Sequence, residues 1–235
     1  MIIMIFVVAE IGVNWDGDMD LVKKMMIKSK QLGCNAVKFQ AFNENLVGAH
    51  PQRSRLMNSS ITEKNVETIN NLAKLVGIEW FCTPMYPEAV DFLEPFIKKF
   101  KIREKDGLPL LQNKKTDLFK KIYETDKEII ISSNSLPKKS SFYGDPRIKW
   151  LYCVPKYPCK LEDLDFRNLN DFDGYSNHCP HLIAPLSSAV LGTKIIEIHI
   201  TSDKKKDFVD NVVSFDFEEL KILMEFLRDS EKIKK

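Results

Sequence analysis

Two short stretches decide the fold of this chain: Gly174-Tyr-Ser-Asn-His-Cys179 and Ile196-Glu-Ile-His-Ile-Thr201. Each reads as an apolar β-strand that becomes polar at its carboxyl end, where a histidine stands two residues after another polar side chain. Parallel strands in a barrel bring their carboxyl ends to one mouth, so we expect His178 and His199 to lie close enough to share a divalent metal. A single histidine at a strand end is more often an ordinary hydrogen-bonded residue. The repeated pattern is what favours the metal.

The composition excludes several classes of protein. The 235 residues include 35 basic and 33 acidic side chains, a net charge of +2, which predicts neither a nucleic-acid partner nor attraction to an anionic membrane. The apolar run at residues 1–9 is too short to span a bilayer, and we interpret it as a buried strand. Five cysteines without a CxxC pair indicate reduced thiols and a cytoplasmic protein.

Outside these two stretches, short β-branched runs alternate with helical patterns. Such alternation predicts right-handed crossovers and a parallel α/β sheet. The predicted strands are Ile5–Ile11, Asn35–Gln40, Ile78–Thr83, Phe100–Ile102, Ile129–Ser132, Lys149–Cys153, Phe172–Ser176 and Ile195–His199. The predicted helices are Asp18–Leu32, Thr62–Val76 with Thr62 as its cap, Pro87–Phe96, Asp117–Glu124 and Phe217–Leu227.

Eight strands favour a closed (β/α)₈ TIM barrel, and the absence of a glycine-rich nucleotide loop after the first strand weakens the open-sheet alternative. The barrel is compact. Residues 133–149 show no helical period, so the fifth helix is predicted to be missing or reduced to a turn. Because no linker or internal repeat is visible, we expect residues 1–235 to form one domain.

Polar side chains follow the predicted strands at the end that faces the mouth of the barrel. They are Glu10, Lys38, Gln40, Thr83, Lys101, Ser132, Tyr157, Ser176, His178, Glu197 and His199. Two lysines with several hydroxyl groups suit a phosphate or carboxylate, and two histidines near carboxylates suit a metal. Each residue has an ordinary structural explanation of similar weight, such as a snorkelling lysine or a structural ion pair. Their shared position favours a functional site.

The chain resembles the sialic acid synthases and the related synthases of legionaminic and pseudaminic acids. The resemblance covers residues 8 to 228 in matching order. Its motifs are Ala9-Glu-Ile-Gly-Val-Asn14, Gly17-Asp18, Val37-Lys-Phe-Gln40, Cys82-Thr-Pro84, Phe100-Lys-Ile102, Gly174-Tyr-Ser-Asn-His178, Ala189-Val-Leu-Gly192, Ile196-Glu-Ile-His199, Asp210, Ser214 and Glu218-Glu-Leu220.

The resemblance implies a barrel enzyme that condenses phosphoenolpyruvate with an N-acyl amino sugar, such as N-acetylmannosamine or its 6-phosphate. It implies a divalent metal, manganese or magnesium, bound by His178 and His199. The implied catalytic residues are Glu10, Lys38, Lys101 and Glu197, the last of these supporting the metal side. The implied substrate-binding residues are Gln40, Thr83, Ser132, Tyr157, Ser176 and Asp210.

The sequence also departs from the family pattern. Asn14-Trp15 stands where the family has an asparagine–histidine pair, Arg103-Glu-Lys-Asp106 replaces a glycine-rich phosphate turn, and Pro155 replaces a polar residue near Tyr157. Relatives continue into a small antifreeze-like domain, so we expect a second copy of the chain or a separate antifreeze-like domain as a partner. A barrel that binds a metal or an anionic sugar without turnover is the alternative function. An unrelated metal hydrolase is disfavoured because further ligands are missing.

Overall fold

Eight parallel strands close into a barrel in the order of the sequence. A computed structural model describes residues 5–233, and each strand pairs with its neighbours along the chain, the last pairing with the first. The strands are β1 (Phe6–Gly12), β2 (Ala36–Ala41), β3 (Glu79–Pro84), β4 (Lys99–Ile102), β5 (Glu128–Ser133), β6 (Ile148–Cys153), β7 (Gly174–Asn177) and β8 (Ile195–His199). The predicted fold class is confirmed. Residues 1–4 of the predicted first strand lie outside the described residues.

Helices surround most of this barrel. They are α1 (Met19–Leu32), α2 (Glu44–Val47), α3 (Arg53–Asn58), α4 (Val66–Val76), α5 (Ala89–Leu93), α6 (Glu104–Gly107), α7 (Asp117–Tyr123), α8 (Ile183–Val190) and α9 (Phe217–Lys232). Five of them correspond to predicted helices, whereas α2, α3, α6 and α8 were not predicted. Within residues 5–233, no helix combines the length and hydropathy needed to cross a membrane.

The predicted start of α4 is wrong. Thr62 does not cap this helix, which begins at Val66 after Asn65. The Asn65 side chain turns back instead: its Oδ1 accepts a hydrogen bond from Thr62 N at 2.8 Å, and its Nδ2 donates to Ser60 O at 2.9 Å. This local bonding holds residues 62–65 in turns, because asparagine competes well with the helix for backbone partners. The helix α5 is likewise shorter than predicted, at Ala89–Leu93.

The helical layer is reduced on one side of the barrel, as predicted for the fifth helix. Only the 3₁₀ turn Pro137–Lys139 lies between β5 and β6, within a connection that is fully described. The next connection, between β6 and β7, contains only the 3₁₀ turns Leu161–Asp163 and Leu169–Asp171. Side chains of this connection pack against Tyr152 and Tyr175 instead, and they cover the sheet there without a helix.

Gly174 allows β7 to start in close contact with β8. A Cβ atom at this position would lie 2.1 Å from Ile195 O, a distance that two non-bonded atoms cannot adopt. The two strands are in parallel register, with Gly174 opposite Ile195 and Ser176 opposite Glu197. This register places the polar ends of β7 and β8 side by side, so it brings the two histidine-bearing segments together.

The main core lies between the strands and helices. The side chains of Val22, Met25 and Leu223 are fully buried there, as are Phe39 and Trp15, whose rings meet edge to face at 6.2 Å. Helix α1 is fixed at both ends. Its first turn is capped by the Asp18 carboxylate, and Gly33 ends it in the left-handed conformation with φ +102°. The packed core thereby sets the strand ends in place.

Candidate active site

All twelve residues that the sequence singled out line one cavity of about 340 Å³ at the carboxyl ends of the strands. They are Glu10, Lys38, Gln40, Thr83, Lys101, Ser132, Tyr157, Ser176, His178, Glu197, His199 and Asp210. Six further residues complete the lining: Met85, Arg103, Glu104, Lys105, Cys153 and Pro155. The convergence at one mouth is therefore as expected for a parallel barrel, while the role of each residue stays a prediction.

Four buried charges form a lysine–carboxylate cluster, which we define as Glu10, Lys38, Lys101 and Glu197. Lys38 Nζ lies 3.2 Å from Glu10 Oε1 and 3.3 Å from Glu197 Oε1. Lys101 Nζ donates to both Glu197 oxygens, at 2.9 and 3.1 Å. The four side chains come from β1, β2, β4 and β8, so the closure of the barrel is what assembles them.

Burial and ion pairing act in opposite directions on the pKa values of this cluster. For Glu197, burial would raise the pKa, but the ammonium groups of Lys101 and Lys38 outweigh it and hold the pKa well below its ordinary value. Burial would lower the pKa of Lys38, yet Glu10 and Glu197 together raise it. For Lys101, burial outweighs the single partner Glu197, and the pKa is lowered. Glu197, which pairs with both lysines, thus lies at the centre of the cluster.

Neutral polar groups surround the cluster. Gln40 Nε2 donates to Glu10 Oε1 at 2.9 Å, Ser176 Oγ donates to Glu197 Oε1 at 2.9 Å, and Lys38 Nζ donates to Thr83 Oγ1 at 3.2 Å. Two buried oxygen atoms in the cavity have no hydrogen-bond partner among the described residues, namely Ser132 Oγ and Glu10 Oε2. Since unpaired buried polar atoms are rare and costly, these two are suited to contact a ligand.

The second feature of the cavity is an imidazole pair, His178 and His199, whose ring centroids lie 5.5 Å apart. Both Nε2 atoms face the hydroxyl of Tyr157, at 2.6 Å for His178 and 3.5 Å for His199. Tyr157 itself is 53% exposed and reaches into the cavity from the connection after β6. The two nitrogens therefore converge on a single point near the surface of the cavity.

The Nδ1 atoms of His178 and His199 have different environments. His178 Nδ1 lies 2.8 Å from the carbonyl oxygen of Val154, which fixes a hydrogen on Nδ1 and a lone pair on Nε2. Burial, with a smaller effect of His199, lowers the pKa of His178 to about 3, so this ring is neutral. His199 Nδ1 lies 3.3 Å from Asp210 Oδ2. Burial opposes the charged form of His199, but Asp210 outweighs it and raises the pKa.

These donors fit a divalent metal held by two imidazoles. A neutral ring with its Nδ1 bound to a backbone oxygen, beside a ring supported by a carboxylate, is the arrangement that metal-binding histidines adopt. Residues 5–233 contain no group of three histidine, cysteine or acidic side chains placed to hold a metal. A metal bound to His178 and His199 would therefore take its other ligands from substrate or water.

Comparison with known proteins identifies the family. A model of the NeuB family matches residues 25–235. The chain belongs to the NeuB family.

Several relatives of this NeuB-family chain have named activities. N,N'-diacetyllegionaminic acid synthase from Legionella pneumophila is 28% identical over 261 residues, which cover 97% of this chain and 72% of that protein. N-acetylneuraminate-9-phosphate synthase from Homo sapiens is 26% identical over 261 residues, covering 95% and 69%. The crystal structure of N-acetylneuraminic acid synthetase from Leptospira borgpetersenii has a TM-score of 0.84 at 22% identity, covering 97% of this chain and 84% of that one. This last likeness concerns the fold.

The structure corrects one expectation for this NeuB-family site. The sequence interpretation assigned Glu197 to the metal side, but its carboxylate is bound by the two lysines and Ser176. The reason is the inward direction of Lys101, from β4, which reaches across the barrel to β8. Lysine length makes such a reach possible, and a strand pattern alone does not reveal it.

Sequence reasoning also gave no role to Asn14 or Trp15, the pair that departs from the family pattern. Asn14 is fully buried; its Nδ2 donates to Ile200 O and Ser214 Oγ, both at 2.9 Å, and its Oδ1 accepts from Asp210 N at 3.1 Å. It therefore positions Asp210. Trp15 is a core residue that does not line the cavity. The sequence signal that could have identified Asn14 is the match of residues 9–14 to the family motif.

Proposed function

We propose that this NeuB-family barrel condenses phosphoenolpyruvate with an N-acyl amino sugar, such as N-acetylmannosamine, to give a 2-keto-3-deoxy nonulosonic acid and inorganic phosphate. One observation supports this most strongly: the lysine–carboxylate cluster and the imidazole pair line the same cavity. Glu10 joins them, because it lies opposite Lys38 in one sheet register and opposite His199 in the other. The named activities of the relatives support the same reaction.

In this proposal the lysine side of the cavity binds phosphoenolpyruvate. Lys38 and Lys101 supply positive charge, and their ammonium hydrogens are directed by Glu197 and Thr83. Ser132 Oγ has no protein partner among the described residues, so a substrate oxygen can accept its hydrogen bond without breaking another. Thr83, Ser176 and Gln40 complete the wall that orients the substrate.

His178 and His199 would hold manganese or magnesium in the same cavity. A bound divalent cation supplies polarisation of the aldehyde oxygen of the open-chain sugar and stabilises negative charge that develops there. Tyr157 and Asp210 stand next to this point and are assigned to the sugar. Asp210 also keeps the ring of His199 in place, as the 3.3 Å contact with Nδ1 indicates.

The proposed reaction forms one carbon–carbon bond and, from water, one carbon–oxygen bond, and it breaks the carbon–oxygen bond that joins phosphoenolpyruvate to its phosphate. The enol carbon of phosphoenolpyruvate attacks the sugar aldehyde carbon, and the aldehyde oxygen takes a proton. Water adds at the adjacent cationic carbon, and phosphate leaves with its bridging oxygen, which yields the 2-keto group. To Glu10 Oε2, which is buried and has no hydrogen-bond partner among the described residues, we assign the proton released by this water.

A second candidate is a barrel that binds its ligands without turnover. One observation favours it: the Tyr157 hydroxyl stands where the two Nε2 atoms converge, which is where a metal would bind. Turnover then requires Tyr157 to move aside. Its 53% exposure and its place in a long connection are compatible with such a movement.

A coupled assay separates the two candidates. Purified protein is incubated with manganese, phosphoenolpyruvate and a panel of N-acyl amino sugars, while released phosphate and 2-keto acid are measured together. We expect equal amounts of both products with at least one sugar, and their loss in the Lys38→Ala and His178→Ala variants. No turnover with any sugar, together with wild-type ligand binding by both variants, would refute the synthase.

We further propose that the protein works in the cytoplasm. All five cysteines are free thiols and all are buried, which suits a reducing compartment. Fractionation of cells that produce the protein at its natural level, with detection in the cytoplasmic fraction, is the corresponding test.

A further inference from the structure

Arg55, in α3, joins three of the connections that follow the barrel strands. Its guanidinium group donates to both carboxylate oxygens of Asp16, from Nε at 3.1 and 3.2 Å and from Nη2 at 2.7 Å. Its Nη1 donates to the backbone oxygen of Asp207 and lies 3.2 Å from Asp207 Oδ2. Arg55 Cζ also lies 5.8 Å from the centre of the Phe208 ring. One side chain of the connection after β2 thereby bridges the connections after β1 and β8.

Asp207 is held by the connection after β2. Within residues 5–233, every hydrogen bond and ion pair of Asp207 comes from Arg55 or from Gln52, whose Nε2 donates to Oδ2 at 3.3 Å. The side chain of Asp207 is 89% exposed, so its ion pair alone contributes little. The hydrogen bond to its backbone oxygen, beside the buried ring of Phe208, is therefore the contact by which Arg55 fixes this segment.

The connections after β1 and β8 also meet beside the active-site cavity. Asn14, from the first of them, accepts a hydrogen bond at Oδ1 from Asp210 N at 3.1 Å. The carboxylate of Asp210 lines the cavity and lies 3.3 Å from His199 Nδ1. Residues 207–210 are thus held by Arg55 at one end and by Asn14 at the other, and the cavity-lining carboxylate stands at the second end. Arg55 itself does not line the cavity, so any effect on the site passes through this short segment.

From these contacts we infer that Arg55 is a positioning residue, which fixes the connection after β8 so that Asp210 lies against His199. A planar guanidinium group can bind a carboxylate through two nitrogens and donate a further hydrogen bond from the third, a geometry that a lysine ammonium group does not reproduce. The inference rests on the proposed function in one respect, namely that Asp210 and His199 act on the sugar and the metal. The lysine–carboxylate cluster should be unaffected by loss of Arg55, because its described ion pairs are all internal to the cluster.

Hydrogen exchange followed by mass spectrometry tests the order of this segment without any substrate. Peptides that cover residues 203–212 should exchange about fivefold faster in Arg55→Ala than in wild type, because the segment, which includes the hydrogen-bonded amide of Asp210, is then anchored at one end only. Arg55→Lys should resemble Arg55→Ala more than wild type, since it keeps the charge but not the forked contact. Arg53→Ala is the matched control: Arg53 belongs to the same helix, and its ion pair with Glu44 is exposed. It should exchange like wild type.

Binding measurements on the same variants test the effect on the site. Mn²⁺ alone is titrated by electron paramagnetic resonance, and phosphoenolpyruvate is titrated by calorimetry. We expect manganese to bind about fivefold more weakly to Arg55→Ala, with the affinity for phosphoenolpyruvate within about twofold of wild type. In an Asp210→Ala background, Arg55→Ala should weaken manganese binding by less than about a further twofold, because both residues act through the same contact with His199.

Three results would overturn the inference: unchanged exchange in Arg55→Ala, faster exchange with unchanged manganese affinity, or full recovery of both properties in Arg55→Lys. Additive losses in Arg55→Ala and Asp210→Ala would also overturn it, because Arg55 would then act by another route. If the wild type binds no manganese, the proposed metal site fails and the exchange of residues 203–212 decides alone. Faster exchange in Arg55→Ala than in Arg53→Ala then supports the inference, and equal exchange rejects it.

Discussion

The lysine–carboxylate cluster and the imidazole pair share one cavity, but the protein holds them in different ways. The four members of the cluster project from barrel strands and bind one another through ion pairs. The imidazoles stand at or beyond the ends of β7 and β8, and they contact residues of connections: Tyr157 after β6 and Asp210 after β8. One region is assembled by the sheet, and the other by the segments that join its strands.

Because of this difference, we expect the two regions to contribute differently to folding stability and to ligand binding. Strand residues in a closed barrel are fixed by packing, so the lysine–carboxylate cluster should contribute to folding stability as well as to anion binding. The partners of the imidazoles lie in segments that evolve and move more freely. Changes on the imidazole side should therefore alter metal and sugar binding while the fold tolerates them. The following variants examine this contrast, beginning with the largest expected effect.

Glu197→Ala should destabilise the protein most. It leaves the ammonium group of Lys101 buried, at 2% exposure, without its carboxylate partner. We expect the free energy of unfolding to fall by about 4 kcal/mol, measured by urea denaturation. Glu44→Ala is the control, since its ion pair with Arg53 is exposed and should contribute at most about 1 kcal/mol. Equal effects of the two variants would contradict a structural role for the cluster.

Asn14→Ala examines how the imidazole region is anchored. It removes two hydrogen bonds donated by Nδ2 and one accepted from Asp210 N, all buried or partly buried. We expect a loss of about 2 kcal/mol in unfolding free energy, with weaker manganese binding and unchanged binding of phosphoenolpyruvate. The exposed Asn71 of α4 provides the control Asn71→Ala. If phosphoenolpyruvate binding weakens as much as metal binding, the two regions are not separable.

The pH dependence of stability should report on Glu197. Its pKa in the folded protein lies below the ordinary value of 4.5, because the two lysines outweigh burial. The stabilisation is fully present above about pH 4.5 and is lost as the pH falls toward the folded-state pKa, since the unfolded chain then binds a proton that the folded chain does not. The slope should reach about 1.4 kcal/mol per pH unit. Urea midpoints between about pH 5 and pH 3 should show a flatter dependence for Glu197→Gln than for wild type.

Tyr157→Phe should have the smallest effect on stability. The variant removes a hydroxyl 2.6 Å from His178 Nε2, in a side chain that is 53% exposed. We expect a loss of about 1 kcal/mol or less and manganese affinity equal to or higher than that of the wild type, because the hydroxyl occupies the point of convergence. Tyr143→Phe, at another partly exposed tyrosine, is the control. A large fall in manganese affinity would show that the hydroxyl helps to bind the metal.

Much of the strand-borne region could be predicted from the sequence. The alternation of strands and helices predicted the barrel, and the polar residues at successive strand ends predicted the membership of the cavity. Lys38 and His199, which are 161 positions apart in the numbering, lie on either side of Glu10 for this reason. Parallel closure is a strong constraint, so position along a strand translates directly into position in space.

The other features of the site depend on side-chain contacts that the sequence pattern does not encode. The pairing of Glu197 with Lys101 requires one side chain to cross the barrel, and the anchoring of Asp210 requires Asn14 to bond three groups far away in the chain. The cavity-lining residues Glu104 and Lys105 belong to α6, a single turn with no helical period to detect. Long-range side-chain geometry and short irregular segments are therefore what the structure adds.

We propose that His178 and His199 hold a divalent metal in the cavity that also binds phosphoenolpyruvate. Titration of the protein with Mn²⁺ in the presence of phosphoenolpyruvate, followed by the electron paramagnetic resonance signal of the free ion, tests it most directly. We expect one bound ion per chain in the wild type and in Glu44→Ala, and at least about tenfold weaker binding in His178→Ala and His199→Ala. Manganese affinity that is unchanged in both histidine variants would contradict the account.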